Sequence, residues 1–233
     1  NFAGIADIDE AMQKPLDAVK QNILGNTIIL DSCVKTRCKR FVFASSLYVY
    51  SKSGAFYRST KQASELLIEN YHEVFGLDYT ILRYGSLYGP RATEKNYIND
   101  IITQALTSGR IARDGDGEEI REYIHVLDAA RCSVEVLSAD FENEYVIITG
   151  NQQMKVRDLF IMINEILGNN IEIEFKATRL SSHYEITPYS FAPKLAKRMV
   201  SKTYLDLGQG ILQHINDIHN KLNPVIAYDG AIV

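Results

Sequence analysis

Cysteine is scarce in this chain of 233 residues, which contains three thiols. Cys33, Cys38 and Cys132 do not show the spacing of metal-binding cysteines. Their odd number and sparse use suit a reducing compartment. The sequence therefore predicts no metal site and a cytoplasmic location.

Long apolar runs and a large excess of charge are also missing. No apolar run approaches the roughly 20 residues needed to cross a bilayer, and no signal-peptide pattern opens the chain. A net charge of −4 gives no long-range attraction for nucleic acid or an anionic membrane. With 46% hydrophobic and 23% charged residues, the composition is that of an ordinary soluble globular protein. We expect neither nucleic acid nor a membrane as a partner.

Strand-like and helix-like segments alternate along the chain. Pro15 interrupts a first helical region, and apolar residues then recur at helical spacing over residues 16–34. Further helices are predicted over 57–75, 99–107, 128–137, 156–167, 193–199 and 206–222, and strands over 40–44, 77–84, 119–125, 145–148 and 171–175. This alternation is typical of an α/β fold with a doubly wound parallel sheet.

One group of polar residues is typical of a proton-transfer site. Ser45 and Ser46 follow the apolar strand, and Tyr57 and Lys61 stand four positions apart at the start of the next helix, so they share one helix face. A lysine ammonium beside a phenol favours the phenolate and makes it usable for proton transfer near neutral pH. Two structural alternatives exist: the pair could be ordinary helix-surface neighbours, and the serines a plain strand-to-loop transition.

Other polar or flexible residues also follow apolar strands. Ala3 and Gly4 come after one strand end, and Tyr84, Gly85 and Ser86 after another. Ligands of open parallel sheets bind outside the carboxyl ends of the strands. We therefore expect these residues and Ser46 to meet in one cleft.

The chain resembles the extended short-chain dehydrogenases/reductases, and most of all their NAD-dependent nucleotide-sugar epimerases and dehydratases. The segments that carry the resemblance are residues 2–4, 22–25, 40–46, 57–61, 82–90 and 121–128. The resemblance implies a Rossmann-like fold, NAD as cofactor and a nucleotide sugar as substrate. It implies cofactor binding by Phe2, Ala3, Gly4, Asn22, Ser45, Tyr57, Lys61 and Tyr84. It implies substrate binding by Ser46, Ser86, Asn96, Arg121 and Arg179.

Several of these residues have a structural alternative. Arg121 presents a guanidinium suited to a substrate diphosphate, but a surface salt bridge with Glu118 or Glu119 would also explain it. Asn22 could be a solvated helix-surface residue. His125 is interpreted as a hydrogen-bonded structural histidine.

The implied chemistry is reversible oxidation at a sugar carbon, C4, with Ser46, Tyr57 and Lys61 as catalytic residues. Tyr57 takes the hydroxyl proton, Lys61 lowers the pKa of Tyr57 and binds the cofactor ribose, and Ser46 orients the sugar oxygen. Related 4,6-dehydratases carry an Asp-Glu pair where this chain has Leu47 and Tyr48, which favours an epimerase. A reductase or dehydratase of the same family is the alternative, and the loop over residues 50–57 is shorter than in most of the family.

The glycine-rich turn of this family, G-x-x-G-x-x-G, occurs nowhere in the 233 residues. In the family it holds the cofactor pyrophosphate at a helix N-terminus. We therefore expect the chain to be a fragment, and the alternative is a non-catalytic relative that lost cofactor binding. Residues 1–90 are predicted to form a partial NAD-binding Rossmann domain. Residues 91–233 are predicted to form mainly a substrate-binding lobe, with some segments returning to the Rossmann sheet.

The resemblance also implies a homodimer. The helices over 16–34 and 57–75 carry more apolar residues than a single narrow stripe, which indicates a second buried contact. The alternative is core packing beneath the second lobe.

Overall fold

The computed structural model describes residues 1–176, 197–199 and 203–223, and it confirms the predicted α/β class with a parallel main sheet. The helices are α1 (Ile8–Gln13), α2 (Pro15–Ala18), α3 (Gly25–Lys35), α4 (Ala55–Phe75), α5 (Tyr97–Ser108), α6 (Val126–Glu135), α7 (Val156–Ile166) and α8 (Leu207–Leu222). The strands are β1 (Arg40–Ser46), β2 (Asp78–Tyr84), β3 (Ser86–Tyr88), β4 (Arg110–Asp114), β5 (Ile120–His125), β6 (Glu144–Ile148), β7 (Gln153–Lys155), β8 (Glu172–Lys176) and β9 (Lys197–Met199).

The main sheet has the strand order β1-β2-β6-β9, and all its strands are parallel. Its central strand β2 is buried at five consecutive positions, from Tyr79 to Arg83. Such continuous burial is expected when both faces of a parallel sheet are covered. One face packs Phe43 and Ile81 against α3 and α4, and the opposite face packs Leu82 against α6.

Two smaller sheets contain strands that follow β2 in the chain. β5 pairs in parallel with β3 and antiparallel with β7, and β4 pairs in parallel with β8. Their apolar side chains join α5, α7 and α8 in one core cluster that includes Ile102, Ile111, Phe160, Ile163 and Ile211. The part of the chain after β2 therefore has a core of its own, while β6 and β9 complete the main sheet.

The backbone at the start of the chain runs alongside β1. The amide of Ala44 donates to the carbonyl of Asn1 at 3.0 Å. This contact brings Phe2 and the residues after it to the carboxyl end of the sheet.

Two sequence expectations differ from the structure. The predicted helix over 193–199 is wrong for residues 197–199, which form β9 and pair with Val146 to Ile148 of β6. Pairing with the open edge of the parallel sheet outweighed the helical spacing of the sequence there. Residues 193–196 lie outside the described part of the chain. The helix predicted over 16–34 is present, but a π-helical segment, Val19–Leu24, separates α2 from α3.

Within the described ranges, no helix combines the length and the apolar character that crossing a membrane requires.

Candidate active site

The strand ends of the main sheet meet at one cavity of about 510 Å³. Ser46 ends β1 directly beside Tyr84, which ends β2. The lining joins these strand ends to α4 and to the loop before α5, and it includes Phe2, Ser45, Ser46, Tyr57, Lys61, Tyr84, Ser86 and Asn96. Ser46 and the residues at Tyr84–Ser86 thus share one cavity, as expected, whereas Ala3 and Gly4 are not among its lining residues.

Tyr57 and Lys61 project from the first turns of α4 towards this cavity. Tyr57 is 8% exposed and Lys61 is 6% exposed. The Lys61 ammonium donates to the carbonyl of Ala44 at 2.8 Å and lies 5.9 Å from the centre of the Tyr57 ring. The lysine is thus fixed between the end of β1 and the phenol.

Burial changes the acidity of the lysine. Desolvation lowers the pKa of Lys61 from 10.5 to about 8, because the charged ammonium loses contact with water. The Glu65 carboxylate, one helical turn further along α4, acts in the opposite direction. Lys61 is therefore charged at neutral pH and titrates within the range in which enzymes work.

The two serines of β1 have different hydrogen bonds. The Ser46 hydroxyl oxygen accepts from the amide of Tyr48 at 3.3 Å, which caps the short 3₁₀ helix Leu47–Tyr50. The Ser45 hydroxyl donates to the Glu65 carboxylate at 2.5 Å. Both serines line the cavity, but the hydroxyl of Ser45 is held by Glu65 of α4.

A buried ion pair joins α4 to β2. Arg83 of β2 donates to both oxygens of Glu65, at 3.0 and 2.6 Å. The guanidinium also lies over the rings of Tyr50 and Tyr145, at 4.5 and 4.3 Å from their centres. Sequence reasoning missed this pair, although an arginine inside an apolar strand and a carboxylate four residues after Lys61 were the available signals.

Asn22 joins the loop after Gly4 to α4. Its amide oxygen accepts from the amide of Ile5 at 2.7 Å, and its amide nitrogen donates to the Ile5 carbonyl and the Thr60 hydroxyl, both at 3.0 Å. Asn22 is 3% exposed, so the alternative of a solvated surface residue is wrong. A Cβ atom at Gly4 would stand 2.5 Å from the Asn22 amide oxygen, so the close approach of this loop requires glycine.

Phe2 and Tyr84 form the outer rim of the cavity. Phe2 is 73% exposed, and its ring centre lies 6.0 Å from that of Tyr84. The Tyr84 hydroxyl shares a hydrogen bond of 2.6 Å with Ser133. Ala3 is exposed next to Phe2. The rim thus presents a large uncovered apolar side chain beside half-buried polar groups.

Arg121 lies in a second cavity of about 480 Å³ that adjoins the first. Both cavities are lined by Tyr48, Ser86, Leu87 and Lys95, so they form one continuous cleft. Arg121 is 7% exposed, and Arg113 lines the same cavity. Sequence reasoning missed Arg113, and nothing in its local pattern singled it out.

The two glutamates considered as surface salt-bridge partners of Arg121 pair with other residues. Glu118 pairs with Lys155 and Arg157, at 2.8 and 2.6 Å. Glu119 pairs with Arg113 at 2.9 Å.

The remaining predicted residues are placed as follows. Asn96 caps α5, accepts from the amide of Asn99 at 3.1 Å and donates to the Leu87 carbonyl at 2.9 Å. His125 is 1% exposed and caps α6 by accepting from the amide of Leu127 at 3.4 Å, which agrees with a structural role. Arg179 lies outside the described residues. The described residues contain no cluster of His, Cys, Asp or Glu that could hold a metal ion.

Comparison with known proteins identifies similar sequences. The family model described as the NAD dependent epimerase/dehydratase family matches residues 1–148. The chain is 27% identical over 181 residues to a dTDP-glucose 4,6-dehydratase of Streptomyces antibioticus, covering 72% of this chain and 54% of that protein. It is also 27% identical over 231 residues to a protein of Methanocaldococcus jannaschii provisionally named UDP-glucose 4-epimerase, covering 92% of this chain and 74% of that protein. The chain thus spans about half the length of the first of these relatives.

Solved structures show the same fold. A UDP-glucose 4-epimerase of Thermotoga maritima, crystallised with UDP-glucose, superposes with a TM-score of 0.80 at 23% identity, over 94% of this chain and 76% of that one. A UDP-N-acetylglucosamine 4-epimerase of Methanobrevibacter ruminantium, in complex with UDP-N-acetylmuramic acid, gives a TM-score of 0.81 at 21% identity over the same shares. These likenesses establish the Rossmann-type fold.

Proposed function

Because this chain belongs to the NAD dependent epimerase/dehydratase family, whose members are NAD-dependent enzymes, we propose that it is a nucleotide-sugar epimerase. The proposed reaction oxidises and re-reduces C4 of the sugar in a nucleoside-diphosphate sugar. The observation that carries the proposal is the convergence of Ser46, Tyr57 and Lys61 on a cavity that continues to Arg121. A cleft with proton-transfer groups at one end and a guanidinium at the other matches a substrate with a reacting sugar and a remote diphosphate.

The residues at the strand ends fit the cofactor NAD. Phe2 offers an uncovered apolar ring, Gly4 allows close backbone approach, and Lys61 lines the same cavity as Phe2. We propose that Phe2, Ala3, Gly4, Ser45, Tyr57, Lys61 and Tyr84 hold NAD, with Asn22 supporting the loop beside it. Bound NAD supplies the acceptor and donor of the hydride.

In the proposed reaction, residues of this chain accept and return the proton of the sugar hydroxyl. Oxidation of a secondary alcohol releases the hydroxyl proton, and Tyr57 is the group placed to take it. The Lys61 charge stabilises the phenolate that this requires, and the Ser46 hydroxyl donates to the sugar oxygen. Ser86, Asn96, Arg121 and Arg179 are proposed to bind the substrate, with Arg121 contacting the diphosphate through its guanidinium fork.

The residues at positions 47 and 48, directly after Ser46, favour epimerisation over water elimination. Dehydratases that this chain resembles carry an Asp-Glu pair there. Here Leu47 is fully buried and apolar, and Tyr48 is half-buried. Neither side chain is a carboxylate that could act as the elimination base, so a dehydratase is the second candidate.

The exposed apolar surface of α2, α3 and α4 supports a homodimer. Leu16 and Ile28, on the α2–α3 side, are 64% and 58% exposed, and Leu66 and Val74 on α4 are 55% and 70% exposed. Apolar side chains that stay uncovered on neighbouring helices are typical of an interface. We propose that a second copy of the chain covers these side chains. A cytoplasmic location stays a prediction.

Product analysis tests the proposed reaction. The full-length protein is incubated with NAD and UDP-glucose, UDP-N-acetylglucosamine or dTDP-glucose, and the products are identified by NMR spectroscopy. We expect the C4 epimer of at least one substrate. A 4-keto-6-deoxy product would instead establish the dehydratase, and no turnover of any of the three sugars would contradict both.

A further inference from the structure

Tyr48 stands at the junction of the two cavities. It is the only aromatic residue among the described residues that line both of them. A substrate whose diphosphate lies at Arg121 and whose reacting carbon lies at Tyr57 must cross this junction with its sugar ring.

The Tyr48 ring is fixed from several sides. It meets the Tyr57 ring edge-on, with ring centres 6.1 Å apart and an angle of 74° between the planes. It also packs against the buried cluster that contains Ile5, Ile8 and Ala11. Its amide donates to Ser46, so both its backbone and its ring are tied to residues of the proposed site.

The loop over residues 50–57 also holds the Tyr48 ring in place. Gly54 has a φ of 97°, and a Cβ atom there would stand 2.7 Å from Cδ1 of Tyr48. The loop is itself clamped, since Arg58 donates to the carbonyls of Ser51 and Lys52 at 3.1 and 2.7 Å. Glycine at position 54 thus lets the loop pack directly on the tyrosine.

We propose that the Tyr48 ring is the platform on which the sugar of the substrate packs. This inference rests on the proposed function and adds a sugar-contacting residue to it. Aromatic rings combine an apolar face with low conformational freedom, and the C–H face of a pyranose is apolar. Tyr48 therefore positions the sugar carbon against Tyr57 by contact with the sugar, and it adds nothing to the binding of the nucleotide.

Binding measurements separate the sugar from the nucleotide. Calorimetry on the full-length protein with NAD compares UDP-glucose with UDP, and dTDP-glucose with dTDP. We expect Tyr48→Ala to weaken the nucleotide sugar about tenfold, the effect of ~1.4 kcal/mol, and to leave the nucleoside diphosphate within twofold. Tyr48→Phe keeps the ring and should keep both affinities within threefold.

Three further variants complete the design. Arg121→Ala should weaken nucleotide sugar and nucleoside diphosphate by the same factor, and Tyr204→Ala, an exposed tyrosine that lines neither cavity, should change neither. Tyr48→Leu keeps apolar volume in the cluster without a ring, and it serves if the alanine variant does not fold. The same selective weakening is expected for it.

Equal weakening of nucleotide sugar and nucleoside diphosphate by Tyr48→Ala or Tyr48→Leu would overturn the inference, as would no weakening at all. A loss in Tyr48→Phe as large as in Tyr48→Ala would also overturn it, because the hydroxyl and not the ring would then be responsible. Wild-type protein that binds none of the four compounds would instead contradict the proposed function itself.

Discussion

At the residue scale, the site depends on a lysine that is both buried and charged. The Lys61 ammonium donates to the Ala44 carbonyl and lies over the Phe43 ring, 4.8 Å from its centre. Burial nevertheless brings its pKa down to about 8. The electrostatic support for a Tyr57 phenolate is therefore present below that pH and lost above it.

The pH dependence of activity should show this titration. We expect kcat/KM of the full-length protein to fall on the alkaline side with an apparent pKa near 8, since kcat/KM reports the groups of the free enzyme. Lys61→Arg keeps a charge at all these pH values, so its residual activity should lack that limb. An unchanged alkaline limb in Lys61→Arg would show that another group is responsible.

The same titration predicts the direction of a stability change. The folded-state pKa of Lys61 lies below the ordinary value of 10.5, so the unfolded chain binds more protons between about pH 8 and 10.5. Stability attributable to Lys61 therefore rises with pH in that window.

At the element scale, α4 is joined to β1 and β2 by charged and polar groups as well as by apolar packing. The side chains of Arg83 and Glu65 are 3% and 7% exposed. Such a pair is costly to break, because the remaining charge stays buried without its partner. The pair therefore fixes the helix that carries Tyr57 and Lys61 relative to the strand ends.

Glu65→Ala tests this role. We expect the free energy of unfolding to fall by about 3–5 kcal/mol, measured by urea denaturation, because Arg83 loses both its carboxylate bonds. Glu73→Ala, an exposed glutamate on the same helix, should stay within about 0.5 kcal/mol of the wild type. A loss no larger for Glu65→Ala than for Glu73→Ala would show that the ion pair does not stabilise the fold.

The π-helical segment gives a second element-scale prediction. Asn22 lies in it and satisfies both backbone groups of Ile5. Asn22→Ala should cost roughly 2–6 kcal/mol of unfolding free energy, since two buried backbone groups lose partners at about 1–3 kcal/mol each. The exposed Asn70 on α4 is the matched control, and equal melting curves for Asn22→Ala and Asn70→Ala would contradict the assignment.

At the scale of the whole molecule, periodicity located most elements because apolar spacing reports which face is buried. The α4 helix, for example, was expected over 57–75 and runs from Ala55 to Phe75. Short strands such as β3 and β7 were not predicted, because a three-residue segment has no period and is defined by its partner strand. For the same reason β9 was mistaken for a helix.

The candidate site was predictable where its residues lie close together in the sequence. Ser46, Tyr57 and Lys61 are separated by a short loop and one helical turn, so spacing alone brings them together. Tyr48, Glu65 and Arg83 were missed as site residues because their contacts join different elements. Such contacts depend on tertiary packing, and a local signal such as an arginine inside an apolar strand does not identify its partner.

The proposed dimer is a prediction about the whole molecule. Sedimentation of the full-length protein at micromolar concentration should give twice the monomer mass, and Ile28→Glu combined with Leu66→Glu should give a monomer, since burying two carboxylates in an apolar interface is unfavourable. Leu212→Glu alters an exposed leucine on α8 and should leave the mass unchanged. A wild-type monomer with full activity would contradict the dimer.

The central claim is that Tyr57 transfers the proton in sugar oxidation, and turnover of Tyr57→Phe tests it most directly. Tyr71→Phe, on the same helix with its hydroxyl bonded to Asp31 at 2.8 Å, is the matched control. With the nucleotide sugar that the wild-type full-length protein converts, Tyr57→Phe should lower kcat by about 10²–10⁴-fold, and Tyr71→Phe should remain within about twofold of the wild type. A kcat for Tyr57→Phe close to that of Tyr71→Phe would contradict the account.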